Sequence, residues 1–310
     1  VTVAPDVYAC LQPEGGLGAS NSGFIDRAGG LVVDSFWDLP RTRALIRHYS
    51  TVNPTPPRRL VNTHHNGDHC WGNQLFAEAG TEIIGHRRCA EYFGRESPQL
   101  LQSLRDSDTL APSFEAFAQA LRRFDFRGIE LTPPTKLIDD DTLVELGDTA
   151  VQLLSVGPAH TAGDVAVFLP DEGVLFTGDI LFNKCTPIGW EGTFANWIAA
   201  LERLAALEPA VVIPGHGPVG NTDDLLALHD YLIYVYDEAE SHFDAGHSIL
   251  EAAKAIDIGP WLAWEEPERL AFQIHRAYRE FSGAAWDEPV DIAAVLNDLD
   301  ELRRHFGNVA

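Results

Sequence analysis

Three histidines and an aspartate fall within the six positions 64–69, in Asn62-Thr-His64-His65-Asn66-Gly-Asp68-His69-Cys70, just after the apolar pair Leu60-Val61. Imidazole nitrogen and carboxylate oxygen are ordinary zinc ligands, and so dense a cluster is costly unless a cation neutralises it. A solvated, metal-free loop is the plainer alternative. Three further segments weigh against it, each an apolar strand-like run delivering His or Asp into a glycine-containing turn. They are Leu154-Ser-Val-Gly-Pro-Ala-His160-Thr-Ala-Gly-Asp164, Val174-Leu-Phe-Thr-Gly-Asp179 and Val211-Val-Ile-Pro-Gly-His216-Gly-Pro. Polar groups at strand ends are where sites are built on a rigid scaffold. One such histidine would be ordinary packing; four such segments point to a shared metal site.

The rest of the pattern describes the scaffold. Short strands broken by glycines are predicted at 7–11, 24–26, 31–34 and 59–63, with a helix over 41–49. Residues 87–126 read as mostly helical, with Tyr92, Phe93, Leu100, Leu101, Leu104, Phe114, Phe117 and Leu121 as buried positions. Strands return at 151–156, 165–169 and 174–177, and a helix over 195–207 precedes a short strand at 210–213. Beyond Asp223 the chain turns helical and ends in the amphipathic series Ile292, Val295, Leu296, Leu299, Leu302, Phe306. The order strands, helices, strands, helices predicts a layered α/β sandwich with added C-terminal helices. Residues 1–222 form the expected core, with a helical insert near 87–126, and residues 223–310 a helical extension packed on the same domain.

Composition narrows the partners. With 310 residues, 45% apolar and 10% aromatic, the chain can build its own core, and no apolar run approaches the ~18–20 residues of a membrane span. The 46 acidic residues outnumber the 22 basic ones, giving a formal charge of −24. Such a surface repels nucleic acid and anionic membranes, and its plainest use is solubility. The first residues lack the basic and apolar pattern of a secretory signal. The four cysteines include no Cys-x-x-Cys pair, so free thiols in a reducing cytoplasm are expected.

Taken in order, Asp34, the His64–His69 loop, His160, Asp179 and His216 resemble the metallo-β-lactamase superfamily. That resemblance implies an αββα sandwich with a zinc site at one edge, between the sheets. Carried over by position, it places His64 and His160 at a first metal, and Asp68, His69 and His216 at a second, with Asp179 bridging. Asp34 takes the motif that supports the ligand loops. One departure stands out. Where the family loop has its second histidine, this chain has Asn66, whose amide oxygen is a weaker and harder donor. One or two Zn2+ per chain are therefore expected, iron or manganese being the other candidates, and His65 should point elsewhere.

Bound zinc activates water and polarises a carbonyl, so thioester, lactone or amide hydrolysis is the generic expectation, with Asp68 orienting the water. The same Lewis acid can stabilise an enolate for aldol-type ring closure. The stretch Thr63–Leu75, the opening Gln12-Pro-Glu-Gly-Gly-Leu-Gly, and the tail motifs Pro267-Glu-Arg-Leu and His275-Arg-Ala-Tyr are similar to a narrower bacterial subgroup. That subgroup includes second-ring cyclases of aromatic polyketide pathways. It implies an acyl-carrier or coenzyme A thioester, or another small molecule, as substrate. The alternative is a hydrolase of the hydroxyacylglutathione or lactone type; a metal-binding protein without catalysis is the reading from a different class. Trp37, Trp71, Phe182, Pro187, Ile188 and Trp190 lie near ligand loops and are candidates to line an apolar slot. Tyr231, Tyr234, Trp261 and Trp264 are candidates for a lid, with core or dimer packing the simpler expectation. A homo-oligomer stays open.

Overall fold

Two β-sheets packed face to face carry the marked strand ends to one edge. The structure, a computed structural model, describes residues 1–12 and 14–307. Pro13 of the Gln12–Gly18 motif and positions 308–310 lie outside them.

The first sheet holds seven strands in sequence order: β1 (Thr2–Ala4), β2 (Val7–Cys10), β3 (Ser22–Ile25), β4 (Leu31–Val33), β5 (Arg59–Val61), β6 (Glu82–His86) and β7 (Lys136–Ile138). The second holds β8 (Thr142–Leu146), β9 (Thr149–Ser155), β10 (Val165–Leu169), β11 (Val174–Phe182) and β12 (Val211–His216), ordered β12-β11-β10-β9-β8. Side chains alternate across a strand, and β10 shows the consequence. Val165, Val167 and Leu169 enter the core between the sheets, whereas Ala166 and Phe168 enter a second core under helices. A strand covered on both faces reads as a continuous apolar run, which is why 165–169 and 174–177 were legible without alternation.

Helices cover both outer faces. On the first sheet, α1 (Leu39–Val52), then α2 (Gly67–Cys70) and α3 (Asn73–Glu78), follow β4 and β5; Leu45, Tyr49 and Phe76 pack on Phe24, Leu60 and Ile83. Asp38 caps α1 by accepting from Arg41 N at 2.8 Å, with Pro40 in the first turn. The 87–126 region resolves into α4 (Arg87–Tyr92), α5 (Pro98–Arg105) and α6 (Pro112–Leu121). On the second sheet lie α7 (Phe194–Ala205), α8 (Thr222–Asp244), α9 (Ile249–Ala255), α10 (Leu270–Phe281) and α11 (Ile292–Gly307). One apolar cluster runs from Phe168 and Leu201 through Leu228 to Ile274 and Val295, so the C-terminal helices share the core of the second sheet. The layers are helix, sheet, sheet, helix.

Two expectations are corrected. Phe93 and Leu121 are buried, but Leu100 is 57% exposed, and Leu101, Leu104, Phe114 and Phe117 are only partly covered because they face a cavity. Asp179 sits within β11 rather than in a turn, because the strand continues to Phe182. A register shift against β12 surrounds Gly178, whose positive φ of +52° and close approach to Thr63 admit no side chain. Tyr231 packs against Trp261 and Trp264 in the helical core, away from the cavity, the simpler of the two expectations for it.

Candidate metal centre

Four elements converge. The turn from β5 into α2 carries His64, Asn66, Asp68 and His69; the loop after β9 carries His160; β11 carries Asp179; β12 ends on His216. Asp179 is the centre of the group. Its Oδ2 lies 3.9 Å from His64 Nε2, 3.4 Å from His160 Nε2 and 3.2 Å from His216 Nε2, and its Oδ1 is 3.0 Å from His69 Nε2. Asp68 Oδ2 is 3.4 Å from His216 Nε2 and 3.9 Å from His69 Nε2. Ligand atoms ~2.0–2.1 Å from a tetrahedral zinc are ~3.3 Å apart, which is the spacing seen here. Two triplets, His64–His69–Asp179 and Asp68–His69–His216, each keep their ligand atoms within 4.8 Å of one another.

The far nitrogens decide whether a cation fits, since each partner fixes a tautomer. His69 Nδ1 donates to Asp34 Oδ2 at 3.0 Å, His160 Nδ1 to Ile188 O at 2.6 Å, and His216 Nδ1 to Ala19 O at 3.2 Å. Thr63 Oγ1 gives its own proton to Asp34 Oδ2 at 2.7 Å and so accepts from His64 Nδ1 at 2.9 Å. Four Nε2 lone pairs are thereby turned inward onto two carboxylates, and His64 Nε2 and Asp179 Oδ1 have no hydrogen-bond partner. Acceptors gathered around acceptors need a cation between them. In its absence protons would substitute. Burial opposes charge on His216, but Asp179 and Asp68 outweigh it and push the imidazole up to about 9.

Asp34, at the end of β4, thus holds both Thr63 and His69, as the motif at that position implies. His65 turns away, with Nε2 3.8 Å from Glu191 Oε2. Cys70 is buried and donates to the His65 and Asn66 carbonyls, outside the ligand group.

A cavity of about 610 Å³ opens on Asp68, Asp179 and His216. Its walls are mostly apolar: α5 and α6 contribute Leu101, Leu104, Phe114 and Phe117, and the C-terminal helices contribute Phe272 and Leu299. Of the expected lining residues, Trp37, Phe182, Ile188 and Trp190 face it, and Phe182 also stacks on His216 at 5.0 Å. Trp71 and Pro187 do not. Trp71 is packed between Trp37 and Phe126, where apolar burial outweighs a place at the rim. Pro187 is turned inward because its carbonyl accepts from Gln273 Nε2 at 2.9 Å.

The sequence reading assigned no role to several residues that shape this site. Glu191 and Arg95 form an ion pair at 2.9 Å beside His65. Glu96 accepts from Asn66 Nδ2 and Gly67 N; burial, with Asp68 nearby, pushes its carboxyl up to about 7. One stripe of the C-terminal region grips the loops around His160: Arg269 donates to Thr186 O, Gln273 to Pro187 O and Arg276 to Ala159 O. Arg269 and Arg276 belong to the Pro267–Leu270 and His275–Tyr278 motifs, which were the available signal.

Fold and site together define a two-sheet α/β sandwich with a His/Asp cluster able to hold metal at one edge. The chain belongs to the metallo-beta-lactamase superfamily, whose family model matches residues 15–216. Among relatives, it is 23% identical to a linear primary-alkylsulfatase from Pseudomonas sp., over 84% of this chain and 55% of that protein. It is 28% identical to hydroxyacylglutathione hydrolase from Maricaulis maris, over 48% and 43%, and 27% identical to an acyl-coenzyme A thioesterase from Bos taurus, over 52% and 56%. The chain thus spans about half the length of these curated relatives. A metallo-beta-lactamase family protein from Thermus thermophilus shares the fold, with a TM-score of 0.64, 19% identity and coverage of 91% and 95%. Superfamily members typically bind zinc, and these relatives are enzymes. Among the described residues no helix is long and apolar enough to cross a membrane.

Proposed function

We propose that this chain is a zinc enzyme acting on the carbonyl of a bulky, largely apolar acyl thioester. The substrate is a poly-β-keto chain on an acyl carrier or coenzyme A, and the reaction is aldol-type ring closure with accompanying thioester cleavage. The observation that carries this reading is the mostly apolar 610 Å³ cavity opening on Asp68, Asp179 and His216. Its size suits a folded acyl chain, and its aromatic walls suit a flattening ring system. In this reading His64, His160 and Asp179, with Asn66, hold one cation, and Asp68, His69, His216 and Asp179 hold the other. Bound zinc supplies Lewis acidity at a carbonyl oxygen and activates water. Asp68 is the catalytic residue: its carboxylate lies at the cavity floor, where it orients water for cleavage or takes a proton from the carbon between two carbonyls. Trp190 and Phe272, in edge-to-face contact on the cavity wall, are placed to shield an acyl chain from bulk water. A cytoplasmic location goes with this reading, because acyl-carrier and coenzyme A thioesters are intracellular substrates.

The relatives favour a second reading, simple hydrolysis of a thioester or lactone, because hydroxyacylglutathione hydrolase and an acyl-coenzyme A thioesterase are among them. Product analysis with a carrier-bound poly-β-keto thioester, with and without chelator, separates the two. A cyclised product that disappears on chelation supports the proposal. Linear free acid alone supports hydrolysis. Turnover of neither this substrate nor simple acyl-coenzyme A, alongside turnover of an alkyl sulfate, would overturn both.

A further inference from the structure

The amide at position 66 has two faces, and the structure settles which one meets the metal centre. Glu96, just before the Ser97 cap of α5, places Oε1 2.8 Å from Asn66 Nδ2 and Oε2 2.9 Å from Gly67 N. Ionised, as at a pH of about 8, the carboxylate only accepts, so the Asn66 NH2 group faces it. The planar amide then sends Oδ1 the other way, to within 2.9 Å of His160 Nε2. That nitrogen carries a lone pair, because Nδ1–H of the same ring is donated to Ile188 O. Two acceptors therefore confront each other, an arrangement that repels until a cation within reach of both turns it into coordination.

We infer that Glu96 is a positioning residue for the metal centre, holding the Asn66 amide with its oxygen toward His160. The reason such a residue is needed lies in the alternative rotamer. Turned by 180°, the amide would donate an N–H to His160 Nε2 and form a comfortable neutral hydrogen bond. That bond would cap the imidazole and withdraw both side chains from a metal. A histidine at position 66 presents no such amide, so the family's usual loop needs no lock. Glu96 also borders the cavity, next to the helix that supplies Leu101 and Leu104. One carboxylate thus ties the placement of the cavity wall to the donor set.

The inference rests on the reading that His64, His160 and Asp179 hold a cation, and the experiment separates the two. Metal-depleted full-length chain is titrated calorimetrically with Zn2+ at about pH 8, as wild type, Glu96→Ala, Glu96→Gln, Asn66→His and the Glu96→Ala/Asn66→His pair. Melting curves of the metal-free proteins serve as the fold check. The expected result is two binding steps in wild type and a loss of about 10–100-fold in one step in both Glu96 variants, the range typical of outer-shell partners. The other step should be unchanged, and Glu96→Ala should have under about twofold effect in the Asn66→His background. Equal weakening of both steps, no weakening, or the same loss in both backgrounds overturns the inference alone. A wild-type chain with one step, abolished by Asp68→Ala but not by His64→Ala, overturns the cation reading and the inference together.

Discussion

An imidazole nitrogen and an amide oxygen differ in both basicity and softness, and position 66 therefore sets how firmly the neighbouring site holds zinc. Replacing Asn66 by His should tighten that step at least about tenfold and bring a substoichiometric preparation toward two equivalents, read by titration and metal analysis. Asp179 touches four imidazoles, so Asp179→Ala should lose metal from both sites, whereas His216→Ala should lose one equivalent and most activity. Cys70→Ser should retain both equivalents, because the thiol serves two carbonyls and no ligand atom. Normal zinc content in the Asp179 variant would contradict the arrangement. The convergence of these His and Asp side chains was legible because such residue types are scarce, chemically committed and placed at strand ends. Glu96 and Gln273 were not, since a glutamate beside a helix cap or a glutamine in an amphipathic helix reads as solvated surface until the fold turns it inward.

The helices α5 and α6 show how an element can be read correctly and placed wrongly. An apolar helical face demands cover, and the sequence does not say whether the cover is core or substrate. Leu104 and Phe117 have the spacing of core residues but wall the cavity, with α6 packed against α11. Inner strands such as β10 and β11 escaped this ambiguity because two-sided burial leaves no alternative to core. Filling the cavity tests the placement. Leu104→Trp adds bulk inside the wall and should lower kcat/KM for a long acyl thioester by about tenfold or more, in the range of a few methylenes' worth of discrimination. An acetyl thioester, which does not reach the wall, should be turned over unchanged, and zinc content should stay the same. Equal loss on both substrates would place Leu104 in the supporting core after all.

Over the whole molecule, the acid excess of −24 and the buried ligand cluster pull in one direction: the fold gathers negative charge that a divalent ion relieves. Stability and pH should therefore be linked through the centre. In the metal-free chain burial opposes charge on His216, while Asp179 and Asp68 outweigh it and raise the imidazole to about 9. A folded-state value above the unfolded ~6.5 means protonation favours the fold fully below about pH 6.5, and that contribution is lost as pH rises through about 9. His69 shifts in the same direction for the same reason, burial opposing and Asp179 prevailing. Bound zinc replaces those protons, and protons compete with it at low pH. At free metal about 100-fold above Kd the loaded fold gains about 2.7 kcal/mol, or about 4 °C in a chain of 310 residues. The gap in melting temperature between loaded and chelated protein should widen steadily from about pH 6.5 to pH 9, with the chelated form accounting for the change. Calorimetric melts at fixed free zinc across that range measure it. A gap that stays constant or narrows would mean that the inward-facing nitrogens do not trade protons for metal.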